Sequence, residues 1–353
     1  MSRFFSPKFE TLTPYTPGEQ PKSGAFVKLN TNESPFPPSP KALEEGRKEL
    51  ERLNLYPDPE CTALKQKAAD VFGVNADEII AGNGSDEILN FAFMAFCDKN
   101  TPAVFADITY GFYKVFAEVN GVPYREIPLG EDFSLDPSDY AKTKGTAFIA
   151  NPNAPTGMAI PVQAIEDLLK SDPDRMVVVD EAYVDFGGES CIPLIKKYDN
   201  LLVCMTFSKS RSMAGARLGF GIGNRDIIRD LQTLRYSNNP YNVNRVTAAM
   251  GYGVLSDEDY TKRNCDEIIE NREYTVRELK RMGFQTLDSK ANFLFTKSER
   301  IGGETLYEEA KKRGVLIRHF RTGRLREYNR VSIGSREQMD VFLKTVREIL
   351  EGQ

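Results

Sequence analysis

Between about residue 61 and residue 223, short apolar runs alternate with stretches of helical period. The runs are Ala103–Ala106, Ala147–Ala150, Met176–Val179, Leu201–Phe207 and Leu218–Ile222, with segments such as Pro161–Lys170 between them. Short apolar runs bounded by polar turns read as buried strands, and strands alternating with helices predict a largely parallel sheet covered on both faces. The long polar–apolar stretch from Asp257 to Met282 predicts one helix leading into a second unit. That unit holds runs at Asn292–Thr296, Val315–Ile317 and Val331–Ile333, and helical patterns at Thr305–Arg313 and Arg336–Leu350. Residues 1 to about 45 are rich in Pro and Ser and read as an arm rather than a core element, with a helical stretch from Pro40 to Leu53 closing it. The expected fold class is α/β. A large domain over 46–255 carries a mostly parallel sheet flanked by helices, a smaller α/β domain spans 256–353, and the arm over 1–45 packs with the small domain.

Composition narrows the chemistry. The 353 residues, 41% hydrophobic and 27% charged, suffice for one large and one small domain. A net charge of -5 argues against a general nucleic-acid surface. No apolar run approaches the ~18 residues of a membrane span. The segment Met1–Pro7 has no signal-peptide core, so a cytoplasmic protein is expected. The five cysteines form no C-x-x-C pair and read as reduced core thiols. The single histidine, His319, excludes a His-rich metal cluster. A Ser-His-Asp arrangement would rest on His319 alone, without a G-x-S-x-G elbow. An enzyme of this makeup moves protons with lysine or carboxylates, or lets a cofactor do the hard chemistry.

In open α/β sheets, ligands bind beyond the C-terminal ends of the strands, and the polar signatures of this chain fall there. The run Leu201–Phe207 gives out at Ser208-Lys209, and Arg217 follows eight residues after the lysine. A lysine at a strand end can form a Schiff base, and Thr206, Ser208 and Arg217 can hold a phosphate; together they read as a pyridoxal-phosphate anchor. The run Met176–Val179 ends in Asp180-Glu181-Ala182-Tyr183. Asp180 can pair with a pyridinium nitrogen and Tyr183 can reach the ring hydroxyl, though a solvated Asp-Glu turn is the plainer reading of that segment alone. Asn151–Gly157, with two prolines and a glycine, forms a rigid loop at another strand end. Ala81–Glu87 precedes the apolar helical run Ile88–Phe96, where glycines and a helix N-terminus suit a phosphate. Ser85 there is also a good N-cap. Tyr110 can stack on a cofactor ring or sit in the core. Of the arginines around residues 318–330, Arg318 and Arg330 stand at a strand end and a strand start, and both can grip an anion. Gly219–Gly223 has G-x-G spacing, but it lies within a strand and lacks the dinucleotide context.

In this order, the motifs resemble the fold-type I pyridoxal-phosphate-dependent aminotransferases. The resemblance runs from Leu12-Thr13-Pro14-Tyr15 and Leu29–Pro35 through Tyr56-Pro57-Asp58, Gly84–Glu87, Val179–Phe186 and the Lys209 segment. It continues through Ala291-Asn292-Phe293 and Gly314–Arg318 to Arg330–Gly334. Within the family it is most similar to the branch that acts on histidinol phosphate. The resemblance implies that Lys209 binds pyridoxal 5′-phosphate and shuttles a proton, that Asp180 pairs with the ring nitrogen, and that Tyr183 contacts the ring hydroxyl. It implies that Tyr110 stacks on the ring, and that Ser85, Asp86 through its backbone, Thr206, Ser208 and Arg217 hold the phosphate. Tyr56 resembles the tyrosine that reaches the phosphate of a neighbouring subunit, which implies a homodimer. Arg330 resembles the substrate-anion clamp; Arg318, Tyr15 and Asn32 match substrate positions. Small-molecule partners follow: an amino donor, expected to be histidinol phosphate, and a 2-oxo acid, expected to be 2-oxoglutarate. An aromatic or broad-specificity aminotransferase and a threonine-phosphate decarboxylase share the scaffold and stand as alternatives. The chain departs from the family pattern at Ala154, where an asparagine normally donates to the ring hydroxyl. Asn153 is the candidate to reach across in its place. The loss of a donor predicts a raised pKa for the Lys209 Schiff base.

Overall fold

The computed structural model describes residues 2–10, 12–21 and 26–352. After a two-residue strand, β1 (Val27–Lys28), the chain forms helices α1 (Pro40–Glu49) and α2 (Thr62–Phe72). Then come β2 (Ile79–Gly82), α3 (Ser85–Phe96), β3 (Ala103–Ala106), α4 (Phe112–Asn120) and β4 (Tyr124–Ile127). A short α5 (Pro137–Ala141) leads to β5 (Thr146–Ala150), α6 (Val162–Ser171), β6 (Val177–Asp180) and β7 (Leu201–Thr206). The large body closes with β8 (Gly219–Gly223), α7 (Arg225–Asn238) and α8 (Arg245–Leu255). Its seven strands lie in the order β2-β8-β7-β6-β5-β3-β4, and β8 alone runs against the others.

In this sheet the expected strands are present, with ends moved by a residue or so, and two more appear. β2 hides in sequence because Ala81-Gly82 doubles as the start of a glycine-rich loop. β4 is an edge strand whose Arg125 and Glu126 face solvent, so it shows no apolar run. The spaced glycines of β8 have a packing cause. A Cβ on Gly219 would lie 2.3 Å from the Ser85 amide, and one on Gly221 would lie 2.8 Å from Ile88. The glycines thus let α3 settle directly on the sheet, with its N-terminus over the strand ends.

The long helix α9 (Glu258–Arg281) carries the chain into the small body. There β9 (Phe284–Thr286), β10 (Phe293–Ser298), β12 (Arg318–His319) and β13 (Asn329–Ser332) form an antiparallel sheet in the order β12-β13-β10-β9. It packs with α10 (Gly303–Lys312) and α11 (Arg336–Glu351), whose inward face buries Met339, Phe342, Leu343, Val346 and Ile349. The two-residue β11 (Val315–Leu316) pairs with β1 instead. The arm's far end is therefore core: Leu29, Asn30 and Asn32 are each 1% exposed. Its last residues, from Pro40, begin α1, which packs against α8 of the large body.

Candidate active site

The C-terminal ends of β6 and β7 and the N-terminus of α3 converge on one cavity of about 150 Å³. Asp180, the last residue of β6, is 5% exposed. Its Oδ2 accepts from the Tyr113 hydroxyl at 3.0 Å, and its Oδ1 from the Ala182 amide at 3.1 Å. Burial outweighs these two donors and pushes the carboxyl up to about 6. Tyr113 on α4 is fully buried and was not anticipated. Its signal was a second tyrosine three residues past Tyr110, where the chain leaves β3 for α4.

Lys209 enters the same cavity just past β7. Its Nζ donates to the Thr31 carbonyl at 3.4 Å. Burial, helped by the charge of Arg330, pushes the amine down to about 8. At the other end of the cavity Arg217 donates to Asp86 Oδ2 at 2.9 Å and to Ser208 Oγ at 3.3 Å. Tyr110 donates to Asp86 Oδ1 at 2.7 Å. Ser85 and Thr206 complete that end. Ser85 is not the helix cap: Gly84, at φ +82, occupies that position, and the Glu87 carboxylate accepts the Asn83 amide at 2.7 Å instead. Ser85 is the first helical residue and lines the cavity.

A wider cavity of about 530 Å³ opens above Lys209 and is lined by Tyr15, Asn32, Tyr110, Tyr183, Arg318 and Arg330. Arg330 lies against Phe293 and Phe320, at 5.3 and 5.8 Å from the ring centroids, and donates to the Asn30 carbonyl. Arg318 donates to the carbonyls of Thr16 and Pro17. Tyr15 rests on Phe112 with ring centroids 4.3 Å apart. Asn32 turns its amide to the Tyr183 hydroxyl at 3.0 Å. Phe320 and Leu325 of the loop before β13 also line this cavity and were not anticipated.

One expected placement does not come together here. Asn153 does not line the Lys209 cavity, because its amide is spent on its own loop and the loop after β3, donating to Thr156 Oγ1 and Ile108 O and accepting from Thr109 Oγ1. Ala154 occupies the cavity wall in its stead. Tyr56 stacks on Tyr241 at 4.4 Å, is 77% exposed, and lies outside both cavities of its own chain. His319 alternates with Arg318 along β12 and so faces the other way, over Tyr307 and beside Arg321 and Arg326.

The chemistry of the inner donor set fits pyridoxal phosphate. A buried carboxylate, a buried lysine, an aromatic face and a helix N-terminus beside an arginine surround one cavity. The phosphate end leaves no space for a larger residue, since a Cβ on Gly84 would lie 2.7 Å from Arg217. The model of the class I and II aminotransferases matches residues 25–346. The chain belongs to that family. It is a pyridoxal-phosphate-dependent aminotransferase, working on an amino donor and a 2-oxo acid. The histidinol-phosphate aminotransferase of Brachyspira hyodysenteriae is 45% identical, over 99% of this chain and the whole of that protein. That of a Marinomonas species is 46% identical, over the same shares. The crystal structure of the Sinorhizobium meliloti histidinol-phosphate aminotransferase with pyridoxal-5′-phosphate superposes with a TM-score of 0.86 at 22% identity, covering 100% of this chain and 99% of that one.

Proposed function

We propose that this enzyme transfers the amino group of L-histidinol phosphate to 2-oxoglutarate, forming imidazole acetol phosphate and L-glutamate in histidine biosynthesis. The observation that carries the reading is the wider cavity, where Arg318 and Arg330 turn two cations towards the space above Lys209. One cation suffices for the carboxylate of 2-oxoglutarate; a second, beside Tyr15, suits a donor that bears the more highly charged phosphate in its place. The similarity to relatives named for this substrate supports it.

Pyridoxal phosphate, when bound, supplies an electron sink for the carbon that carries the amino group. In this reading the chain's residues do the rest. Ser85, the main-chain amides at the start of α3 with Asp86, Thr206, Ser208 and Arg217 hold the cofactor's phosphate. Asp180 keeps the ring nitrogen protonated, Tyr183 donates to the ring hydroxyl, and Tyr110 covers one face of the ring. Lys209 takes a proton from the donor's α-carbon and returns one to the cofactor. An amine at about 8 is poised for both directions near neutral pH. Arg330 grips the anion of either substrate, the carboxylate of glutamate and 2-oxoglutarate or the phosphate of the donor, and Arg318 and Tyr15 hold that phosphate with it. Tyr56 reaches the cofactor phosphate of a second copy, which makes the site complete only in a homodimer. Exposed Leu50, Leu53 and Leu55 next to Tyr56 support an interface there. A cytoplasmic location accompanies this role.

A single-turnover experiment tests the substrate. The loaded protein is mixed with histidinol phosphate, without acceptor, and the cofactor's visible band is followed. Conversion to the pyridoxamine form is expected. A band that persists, yet converts with aromatic amino acids, moves the assignment to an aromatic or broad-specificity enzyme; carbon dioxide released from added threonine phosphate moves it to a decarboxylase.

A further inference from the structure

We propose that Asn32 and Ser332 are positioning residues that aim the Tyr183 hydroxyl at the cofactor ring, linking the strand that carries Arg330 to the ring's hydroxyl oxygen. The proposal rests on the reading of Tyr183 given above and extends it to two residues outside the cofactor's own contacts.

The hydrogen bonds form a directed chain. The Asn32 main-chain N–H donates to Ser332 Oγ at 2.8 Å. Ser332 Oγ donates to Asn32 Oδ1 at 3.0 Å. That leaves the Asn32 amide nitrogen facing Tyr183, where it donates to the hydroxyl at 3.0 Å. A phenol that accepts through its oxygen keeps its own proton for a further acceptor. The acceptor side is the cavity of Lys209, which Tyr183 lines. A donor into the phenol oxygen also strengthens the phenol as a donor, because hydrogen bonds in series polarise one another.

The backbone is shaped for this. Asn32 sits at φ +57, a left-handed conformation that asparagine adopts more readily than most residues, and it is 1% exposed. The Asn292 side chain holds its carbonyl at 2.9 Å. Ser332 is 3% exposed and its own amide donates to Leu29 O at 2.9 Å. Arg330 lies two residues before Ser332 on β13, on the same face of the strand, and binds the Asn30 carbonyl. One strand face therefore grips the strap of residues 29–32 twice, once beside the substrate clamp and once beside Tyr183. Ala154 gives the chain added weight. With no asparagine side chain at that wall, Tyr183 is the donor left for the ring oxygen.

The test reads the pH at which the visible band of the loaded protein changes, not turnover. Donation to the ring oxygen favours the deprotonated Schiff base, so a lost or weakened donor raises that midpoint. The charged groups around Tyr183 are Arg330 on β13, Lys209 after β7, Asp180 on β6 and Asp86 on α3, and the variants leave all four in place. Tyr183→Phe is expected to raise the midpoint by roughly one pH unit or more. Asn32→Gly, which keeps the left-handed backbone, and Ser332→Ala are each expected to raise it by roughly a few tenths of a unit. Either change combined with Tyr183→Phe is expected to add nothing to Tyr183→Phe alone. If Tyr183→Phe moves the midpoint while Asn32→Gly and Ser332→Ala do not, or if their shifts add to that of Tyr183→Phe, the relay is wrong and Tyr183 acts alone. If Tyr183→Phe leaves the midpoint in place, the proposal falls with the role of Tyr183. A wild-type protein that forms no visible band with pyridoxal phosphate would instead refute the cofactor site itself. Should Asn32→Gly fail to fold, Ser332→Ala, a deletion of one buried hydroxyl, decides the matter by the same readout.

Discussion

The inner and outer halves of the site are charged in different ways. In the inner half the guanidinium faces an acid: Arg217 is paired with Asp86, whose second oxygen takes the Tyr110 hydroxyl. In the outer half, among the described residues, Arg318 and Arg330 donate only to main-chain carbonyls, and Arg330 Nε has no partner. The inner half stands on strand ends and a helix terminus of one sheet. The outer half is assembled from the arm, β12, β13 and the loop that carries Phe320. A group that stays through every turnover suits the first arrangement. Anions that exchange in every half-reaction suit the second, because carbonyls release a guanidinium more readily than a carboxylate does.

The comparison can be broken from either side. The largest effect is expected at Lys209: replacement by Ala lowers kcat by about four orders of magnitude, and multiple turnover without an added amine would remove it from the chemistry. Next is Arg330→Ala, expected to reduce kcat/KM by roughly 10²- to 10³-fold for donor and acceptor alike, since both pass the same clamp. A loss confined to one substrate would show that the outer cations divide their labour differently. Tyr113→Phe should be smaller. It removes one of the two donors to a buried carboxylate, a change of about 1–2 kcal/mol, and raises the Asp180 pKa further above 6. Cofactor affinity measured against pH checks this: below about pH 7 the variant should bind pyridoxal phosphate more weakly than the wild type, with the gap closing as pH rises.

The smallest expected effect concerns Glu181, buried directly behind Asp180 and held by Ser190 Oγ at 2.6 Å. Burial pushes it up to about 7, above its unfolded value, so the fold favours its protonated form. Its contribution to stability is full below about pH 4 and is lost as pH rises through 7, by at most about 3 kcal/mol. Urea denaturation of the cofactor-free protein should therefore show the wild type losing more stability between pH 5 and pH 8 than Glu181→Gln does. Parallel losses would mean the carboxyl is not buried as described.

The two halves also differed in how far the sequence disclosed them. Asp180, Ser208 and Lys209 each follow an apolar run that had to be a buried strand, and Thr206 stands near the end of one, so their place at the strands' C-terminal ends followed from periodicity. Ser85 and Arg217 needed only the glycines beside them. The outer half offered no such pattern. Arg318 and Arg330 stood out by flanking strands, but nothing local tied Asn32 to Ser332, three hundred residues on, or brought Phe320 over the cavity. Contacts of that range are set by how the arm crosses the small sheet, through β1 beside β11 and Leu29 against Ser332, and no spacing rule encodes that crossing. Asn153 and Tyr113 show the same limit at short range. Asn153 lies in a loop that was correctly placed and Tyr113 in a helix that was not singled out, and in both cases which side chain points where depended on hydrogen bonds that only the folded loop and helix reveal.

The division of labour between the outer cations is tested most directly by measuring both half-reactions in Arg318→Ala. Single-turnover rates would be followed with histidinol phosphate and, separately, with glutamate, each on the loaded variant and the wild type. The account predicts a loss of roughly 10- to 100-fold in kcat/KM with histidinol phosphate, and a loss at least about tenfold smaller with glutamate, which brings no phosphate. Equal losses with the two donors would contradict it, and would leave Arg318 as a support for the arm through Thr16 and Pro17 rather than a phosphate ligand.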